Sequence, residues 1–307
     1  MATSRPASLA TDSLRQASAP GTRRTIPLTR RRLVLAAVVV LILVAGAGVW
    51  SHHAVSESVE DMLTANFQAN LNVSAMALSA WLDNELALVR FWAEDETLRQ
   101  MIETRLKGGA GGDAALANVQ TLMAEGFTAT EVQDWVIIGA DGVVIFSNKN
   151  NPDQGKSIAT VMTPHHEKVF QGQRVFVPPM PRADLIEMPT ATTDETVMLT
   201  AAPVRNREGG VIAALVFTLS PDGNFSRILR ASRLGDSGDT YAFDRNGYLI
   251  SKSRFEADLR SYGLLPDATG SGSIPRLLIR DPGGDLSAGF QPTSPPDTWP
   301  PTRMLIS

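Results

Sequence analysis

The chain has 307 residues, with 28 Lys and Arg against 32 Asp and Glu and a net charge of −4. Its 43% hydrophobic content excludes a collagen-like or fully disordered chain. The absence of cysteine excludes disulfide scaffolds, thiolate metal sites and cysteine nucleophiles. Residues 1–32 carry seven Arg and one Asp, a net charge of +6, which leaves −10 for the remainder. Such asymmetry indicates a membrane between the two parts.

An uncharged apolar run at 33–49 is followed by Trp50, a residue suited to a membrane interface. Three arginines at 30–32 precede the run, and acidic residues follow it. The run predicts a transmembrane helix at 33–50. By the positive-inside rule, residues 1–32 form a cytoplasmic tail, predicted to be disordered, and residues 51–307 lie outside the inner (plasma) membrane.

Other interpretations of this segment are a cleaved signal peptide, a twin-arginine export signal and the buried core helix of a soluble protein. Ala45-Gly46-Ala47 resembles a signal-peptide cleavage site. However, the run is longer than the apolar region of a signal peptide, and 32 residues precede it. These lengths favour an uncleaved anchor.

A long helix is predicted next, because residues 54–106 contain neither Pro nor Gly and their apolar residues recur at helical spacing. Its apolar stripe indicates a homodimer. A glycine-rich break at 108–112 precedes a second, shorter helix predicted at 113–126.

From Gln133 the pattern changes to that of strands. Apolar runs at 135–138 and 143–146 flank Asp141-Gly142, which predicts a β-hairpin. The predicted elements that follow are a helix at 164–171, strands at 174–177, 196–204 and 211–219, and a helix at 222–231.

The segment Tyr241–Ser251 repeats the pattern of the first hairpin about 105 residues later, which indicates two copies of one domain. Residues 266–307 are rich in Pro, Gly and Ser and show little regular pattern. The predicted fold class is therefore α+β.

These features together resemble the double Cache sensor, a PAS-like extracytoplasmic domain of bacterial transmembrane receptors. The residues that carry the resemblance are 235–255 (GDSGDTYAFDRNGYLISKSRF) and 200–217, and it covers about 50–265. It implies a long helix with a membrane-distal Cache-like domain of antiparallel sheet at 51–231. A second, incomplete membrane-proximal Cache-like domain follows at 232–307.

The sequence departs from that family in one respect. Family members continue into a second membrane helix and a cytoplasmic output domain, and no second apolar run follows here. The expectation is a receptor truncated in the membrane-proximal repeat, or a solitary sensor. An alternative function is that of a receptor remnant with a structural or dimerisation role and no output.

Catalytic chemistry is not predicted, because the sequence has no HExxH, GxSxG or GxxxxGK[ST] string. The four histidines form two adjacent pairs, at 52–53 and 165–166. Adjacent residues do not share a helix face, so solvated pairs are expected rather than metal ligands. No cofactor is predicted, and the acidic exported part excludes a nucleic-acid binder.

The resemblance implies a small-molecule ligand on the concave face of the sheet, under a loop at about 177–196. In that loop Arg182 is a candidate partner for a carboxylate, and Asp184 or Asp194 for an amine. Trp135, on the first strand, is a further candidate. An exposed polar loop without a ligand is the alternative. The Arg-x-Trp-Tyr motif of the amino-acid-binding branch does not occur, so an amino-acid ligand is not supported.

Overall fold

The computed structural model divides the chain into two compact units, Met1–Ala65 and Asn66–Ser307. The predicted tail 1–32, apart from residues 30–32, falls outside the residues that the structure describes, as does Asp194. The described residues are 30–108, 111–127, 130–148, 153–187, 195–233, 238–265, 272 and 274–302.

Helix α1 begins at Arg30 in the first unit and ends at Ala93 in the second. Among the described residues, it is the one helix long and apolar enough to cross a membrane. None of its most apolar 18-residue window is buried, whereas the core helix of a soluble protein is mostly buried.

The second unit contains a break in the helix that was predicted to run unbroken over 54–106. Helix α1 ends at Ala93, and α2 occupies Glu96–Leu106. Between them Asp95 adopts an extended conformation, and its carboxylate accepts a hydrogen bond of 2.8 Å from the backbone N–H of Leu98. The unbroken helix was therefore a wrong prediction, because an N-capping aspartate starts a new helix without Pro or Gly.

The predicted second helix is confirmed as α3, Gly111–Gly126. Its last residue, Gly126, lies against the ring of Trp92 on α1, which leaves no space for a Cβ at this position. This close approach packs the end of α3 against α1.

Five antiparallel strands form one sheet in the order β2-β1-β5-β4-β3. The strands are β1 (Val132–Gly139), β2 (Val144–Ser147), β3 (Val175–Pro181), β4 (Thr196–Arg205) and β5 (Val211–Leu219). Each matches a predicted strand, with the bounds of β5 as predicted. The α+β fold with a long N-terminal helix and an antiparallel sheet is therefore confirmed.

Three further short α-helices occur among the described residues: α4 (Thr163–Phe170), α5 (Asn224–Ala231) and α6 (Glu256–Ser261). Helix α4 follows β2 in the chain and packs against β3, β4 and β5. Helix α5 begins after β5 and buries Phe225 and Leu229 against Trp81 of α1. The predicted helices at 164–171 and 222–231 are thus confirmed.

The two faces of the sheet bury different sets of side chains. One face turns Trp135, Ile137 and Phe217 towards helices α1, α2 and α3, in a core completed by Leu98, Ile102, Val119 and Met123. The opposite face carries smaller aliphatic residues, and it packs against α4, the segment before α4 (Ile158, Met162) and the segment after β3 (Leu185, Ile186). Consecutive residues along β1, and likewise along β5, point to opposite faces of the sheet, as the alternation of side chains in a strand requires.

The turns of the predicted repeat have the same hydrogen-bond pattern at an offset of 105 residues. The N–H of Gly139 donates to the carbonyl of Val143 at 2.8 Å, and the N–H of Asp244 donates to that of Tyr248 at 2.9 Å. The glycines at 142 and 247 both have positive φ, 78° and 86°.

The second hairpin does not develop a strand ladder. Within the described residues it forms isolated bridges, Phe243 with Leu249 and Tyr248 with Leu278. The strands predicted in Tyr241–Ser251 are therefore absent as continuous elements, because a hairpin needs further strands or a packed face for stability. The domain boundary at 232 stays a prediction.

Replacing the capping residue tests the break between α1 and α2. We expect Asp95→Ala to lower the free energy of unfolding by about 1 kcal/mol, which corresponds to about 2–4 °C in Tm for a domain of this size. Thermal melting of the full chain in detergent measures the effect. The matched control is Glu94→Ala, whose side chain is 69% exposed and makes a surface pair with Arg90. Equal melting of both variants and the parent would contradict the capping role.

Candidate functional site

A cavity lies on the face of the sheet that is turned away from α1. The volume of its interior is about 60 Å³. The strands contribute aliphatic side chains and one threonine to its wall, and no aromatic residue. The sheet residues that line it are Val136, Ile138, Val175, Val177, Leu199, Ala201, Ala214, Val216 and Thr218.

The opposite wall comes from α4 and the segments around it. Met162, Val169, Leu185 and Ile186 supply apolar surface. The backbone N–H of Ala159 donates to the carbonyl of Leu185 at 3.0 Å, which joins the two segments over the sheet. The cavity is therefore closed by a layer tied together by main-chain hydrogen bonds.

Charged groups in this region are paired with one another. The guanidinium of Arg182 donates to the carboxylate of Asp134 at 2.8 Å and lies 3.7 Å from that of Glu195. The ammonium of Lys156 lies 3.1 Å from the carboxylate of Asp153, which also lines the cavity. The contacts of Arg182 connect the segment between β3 and β4, called here the covering segment, to β1 and to the residue before β4, whereas Lys156 and Asp153 lie in one loop.

Two histidines of α4 line the cavity. The Nε2 of His166 donates to the carbonyl of Gly139 at 2.9 Å, and its ring lies 4.5 Å from that of Phe170. The Nδ1 of His165 is buried and has no hydrogen-bond partner. Burial, and secondarily the charge of Lys168, lower the pKa of His165, so its neutral form is favoured.

The four predicted ligand-binding residues have different positions. Arg182 lines the cavity, whereas Asp184 is exposed and does not. Trp135 is 3% exposed and belongs to the core on the opposite face of the sheet. Asp194 lies outside the described residues. The structure therefore brings only Arg182 of this set to the cavity.

The solvated pair expected at 165–166 was a wrong prediction, because both side chains are half-buried and line the cavity. Adjacent helical residues point about 100° apart. Both line the cavity because α4 packs across β3, β4 and β5. A signal was available in the sequence, since a helix at 164–171 beside an apolar strand pattern must bury one face.

A carboxyl with a perturbed pKa lies outside the cavity, in the helical layer. Burial, and secondarily the charge of Glu131, raise the pKa of Glu85 on α1. Glu131 accepts hydrogen bonds of 3.1 Å from the N–H of Asn224 at the start of α5, as is common at helix N-termini. No group of three or more His, Asp or Glu side chains suited to a metal ion occurs among the described residues.

Comparison with known proteins gives similarities to solved structures alone, since no protein-family model and no curated protein matches the chain. The sensor domain of the V. cholerae histidine kinase DctB has 15% identity and a TM-score of 0.46; the match covers 60% of this chain and 64% of that domain. The E. coli DcuS sensor domain has 13% identity and a TM-score of 0.33, with coverage of 50% and 96%.

A third similar structure is the ligand-binding domain of the Pseudomonas fluorescens chemoreceptor CtaA in complex with L-serine. It has 13% identity and a TM-score of 0.37, and the match covers 60% of this chain and 69% of that domain. All three are sensor or ligand-binding domains, and the match spans less than two thirds of the DctB sensor domain.

The buried histidine predicts a pH dependence of stability. Because the pKa of His165 is lowered in the folded chain, the unfolded chain binds this proton more readily. The stability present above the unfolded pKa of about 6.5 is therefore lost as pH falls through that value. We expect the Tm of the parent to fall more than that of His165→Gln between about pH 7.5 and pH 5.5.

The control for this prediction is His52→Gln, which removes a histidine that is exposed on α1. Its Tm is expected to follow that of the parent across the same pH range. An unchanged pH dependence in His165→Gln would contradict the assignment.

Proposed function

We propose that this chain is a membrane-anchored extracytoplasmic sensor that binds a small molecule for transmembrane signal transduction. The cavity between the sheet and the α4 layer is the observation that supports this proposal most directly. It combines an apolar lining with a few polar groups held in place by partners, as small-molecule sites do.

The anchor in this proposal is the apolar part of α1, residues 33–50. Three arginines at its start and acidic residues beyond its end favour an N-terminus in the cytoplasm, by the positive-inside rule. The sheet and its cavity then lie outside the inner membrane.

We assign no catalytic role to the cavity. Its charged side chains are engaged in ion pairs: Arg182 with Asp134 joins the covering segment to β1, and Lys156 with Asp153 lies within one loop. His166 is held by a main-chain carbonyl. A nucleophile beside a general base, the arrangement that covalent catalysis requires, does not occur among the described residues that line it.

Filling the cavity tests the binding site. A ligand present at 100 times its Kd stabilises the folded chain by about 2.7 kcal/mol. We expect some members of a metabolite panel to raise the Tm of the full chain in detergent, and Ala201→Leu to abolish that increase by occupying the space. Ala117→Leu makes the same chemical change at an exposed position of α3 and is expected to retain the increase.

Ligand stabilisation that persists in Ala201→Leu would place the binding site elsewhere. The absence of stabilisation by every compound would count against the sensor proposal itself.

The partner that we propose for α1 is a second copy of the chain. In the second unit Phe67 and Leu71 are 49% and 55% exposed. In the sequence, the spacing of four residues between them continues backwards through Leu63, Val59 and Val55. An exposed apolar stripe at helical spacing is typical of a helix that packs against another helix.

The natural absence of cysteine allows a direct test of this dimer. We expect Leu71→Cys to give a disulfide-linked dimer on mild oxidation in membranes, because a two-fold axis brings equivalent residues together. Ala69→Cys is the matched control, since Ala69 is exposed but lies about 200° away from Leu71 around the helix. Equal crosslinking of the two variants, or none in either, would contradict a dimer through this stripe.

A further inference from the structure

A groove lined by four arginines lies at one end of the sheet, and it shares no lining residue with the cavity. The antiparallel pairing of β3 with β4 brings the start of β3, after Arg174, and the end of β4, at Arg205, to the same end of the sheet. Arg90 of α1 and Arg99 of α2 complete the set. Glu94 is the one acidic residue among those that line the groove, so four arginines and one glutamate give it a net charge of +3.

Two of these arginines have carboxylate partners within the chain. The guanidinium of Arg90 lies 3.8 Å from the carboxylate of Glu94. Arg99 forms ion pairs with Glu96 and Glu103 of its own helix. The charges of Arg90 and Arg99 are therefore compensated by neighbouring acids, which leaves the other two arginines to determine what the groove attracts.

Arg174 and Arg205 are not compensated in this way. Within the part of the chain that the structure describes, neither forms an ion pair with a carboxylate. Acidic partners are not scarce, since the chain after residue 32 has a net charge of −10. Two like charges that line one groove repel each other, and an anion between them removes that repulsion.

The guanidinium of Arg205 is held in place although the residue is exposed. Its Nη1 donates to the carbonyl of Gly209 at 2.8 Å, in the turn between β4 and β5. Its Nη2 lies against Gly172, which has a φ of 88° and no space for a Cβ. A cation fixed between two turns loses less side-chain freedom on binding an anion than a mobile one does.

The amide of Asn206 adds an uncharged donor to the groove. Its Oδ1 accepts hydrogen bonds from the N–H groups of Glu208 and Gly210, at 3.1 Å and 2.8 Å. These two donors identify the oxygen of the amide. The NH₂ group then remains, and it donates to no residue among those that the structure describes.

These donors suit a phosphate group better than a carboxylate. A phosphate group presents three acceptor oxygens and a charge of about −1.5 to −2 at neutral pH, whereas a carboxylate presents two oxygens and one charge. The planar fork of an arginine matches the oxygens of phosphate in pairs. Arg174 and Arg205 together balance a dianion, and beside a monocarboxylate one of their charges would stay uncompensated.

We propose that this groove binds a phosphate group, with the guanidinium groups of Arg174 and Arg205 as its principal partners. The inference goes beyond the sensor proposal, because it concerns a second site with a different ligand. The phosphate group is that of free inorganic phosphate or of a larger phosphorylated molecule, and the experiment separates these two sources.

The test is equilibrium dialysis of the full chain against ³²P-labelled inorganic phosphate. The chain is kept in a maltoside detergent, which has no phosphate of its own, at about pH 7.5. Sodium chloride holds the ionic strength constant, since salt screens exposed charges. We expect one phosphate per chain, and Arg174→Gln and Arg205→Gln to weaken its binding at least about fivefold, because each removes a charge-assisted hydrogen-bond donor.

Matched variants separate the groove from a general effect of positive charge. Arg230→Gln makes the same charge change at an exposed position of α5 that does not line the groove, and its binding is expected to equal that of the parent. Arg174→Lys keeps the charge without the planar fork and is expected to bind with intermediate affinity. Because Arg174 is exposed and has no ion-pair partner within the described residues, we expect Arg174→Gln to keep the Tm of the parent in chloride.

Competition with unlabelled anions identifies the ligand. Acetate is expected to displace the label at a concentration at least about fivefold higher than unlabelled phosphate does. Displacement by tripolyphosphate at about one tenth of the phosphate concentration would support a larger phosphorylated molecule, and displacement at equal concentrations would support free phosphate.

Three outcomes would overturn the phosphate site. They are the absence of binding, equal binding by the parent and Arg174→Gln, and displacement by acetate as readily as by phosphate. None of these measurements involves the cavity or the Ala201→Leu variant. The phosphate site therefore fails or stands independently of the sensor proposal.

Discussion

The central position of β5 is the constraint on which the rest of the second unit depends. It pairs with β1 on one side and β4 on the other along nearly its whole length, and both of its faces are buried. Its alternation sends Leu215 and Phe217 into the helical core and Ala214 and Val216 towards the cavity. The large side chains on one face fix the helices, and the small ones on the other face leave space. The cavity is thus a result of how volume is distributed across one sheet.

Polar contacts fix the layer that covers the cavity, in addition to its apolar packing. Arg182 joins the covering segment to β1 through Asp134, and His166 joins α4 to the end of the same strand through the carbonyl of Gly139. These contacts orient the wall that carries His165.

The strands and the short helices were predictable because their apolar patterns extend over whole elements, as in β4, β5 and α4. What the sequence did not reveal depends on distant contacts. The alternation of residues in β1 predicts that Trp135 and Val136 lie on opposite faces of the sheet. It does not predict which of the two faces packs against the helices. Arg182 was predicted as a ligand partner, yet its pairing with Asp134, 48 residues earlier, follows only from the fold. The break at Asp95 was missed because one capping side chain outweighs a long helical pattern.

The order of the strands has a consequence for self-association. It places β2 and β3 at the two edges of the sheet, where unpaired main-chain groups are available to another strand. Strand β2 has only four residues, and β3 contains prolines at 178, 179 and 181, which lack the N–H that a new neighbour would need. Neither edge is a template for adding strands from other molecules. The sheet is thus protected against edge-to-edge aggregation.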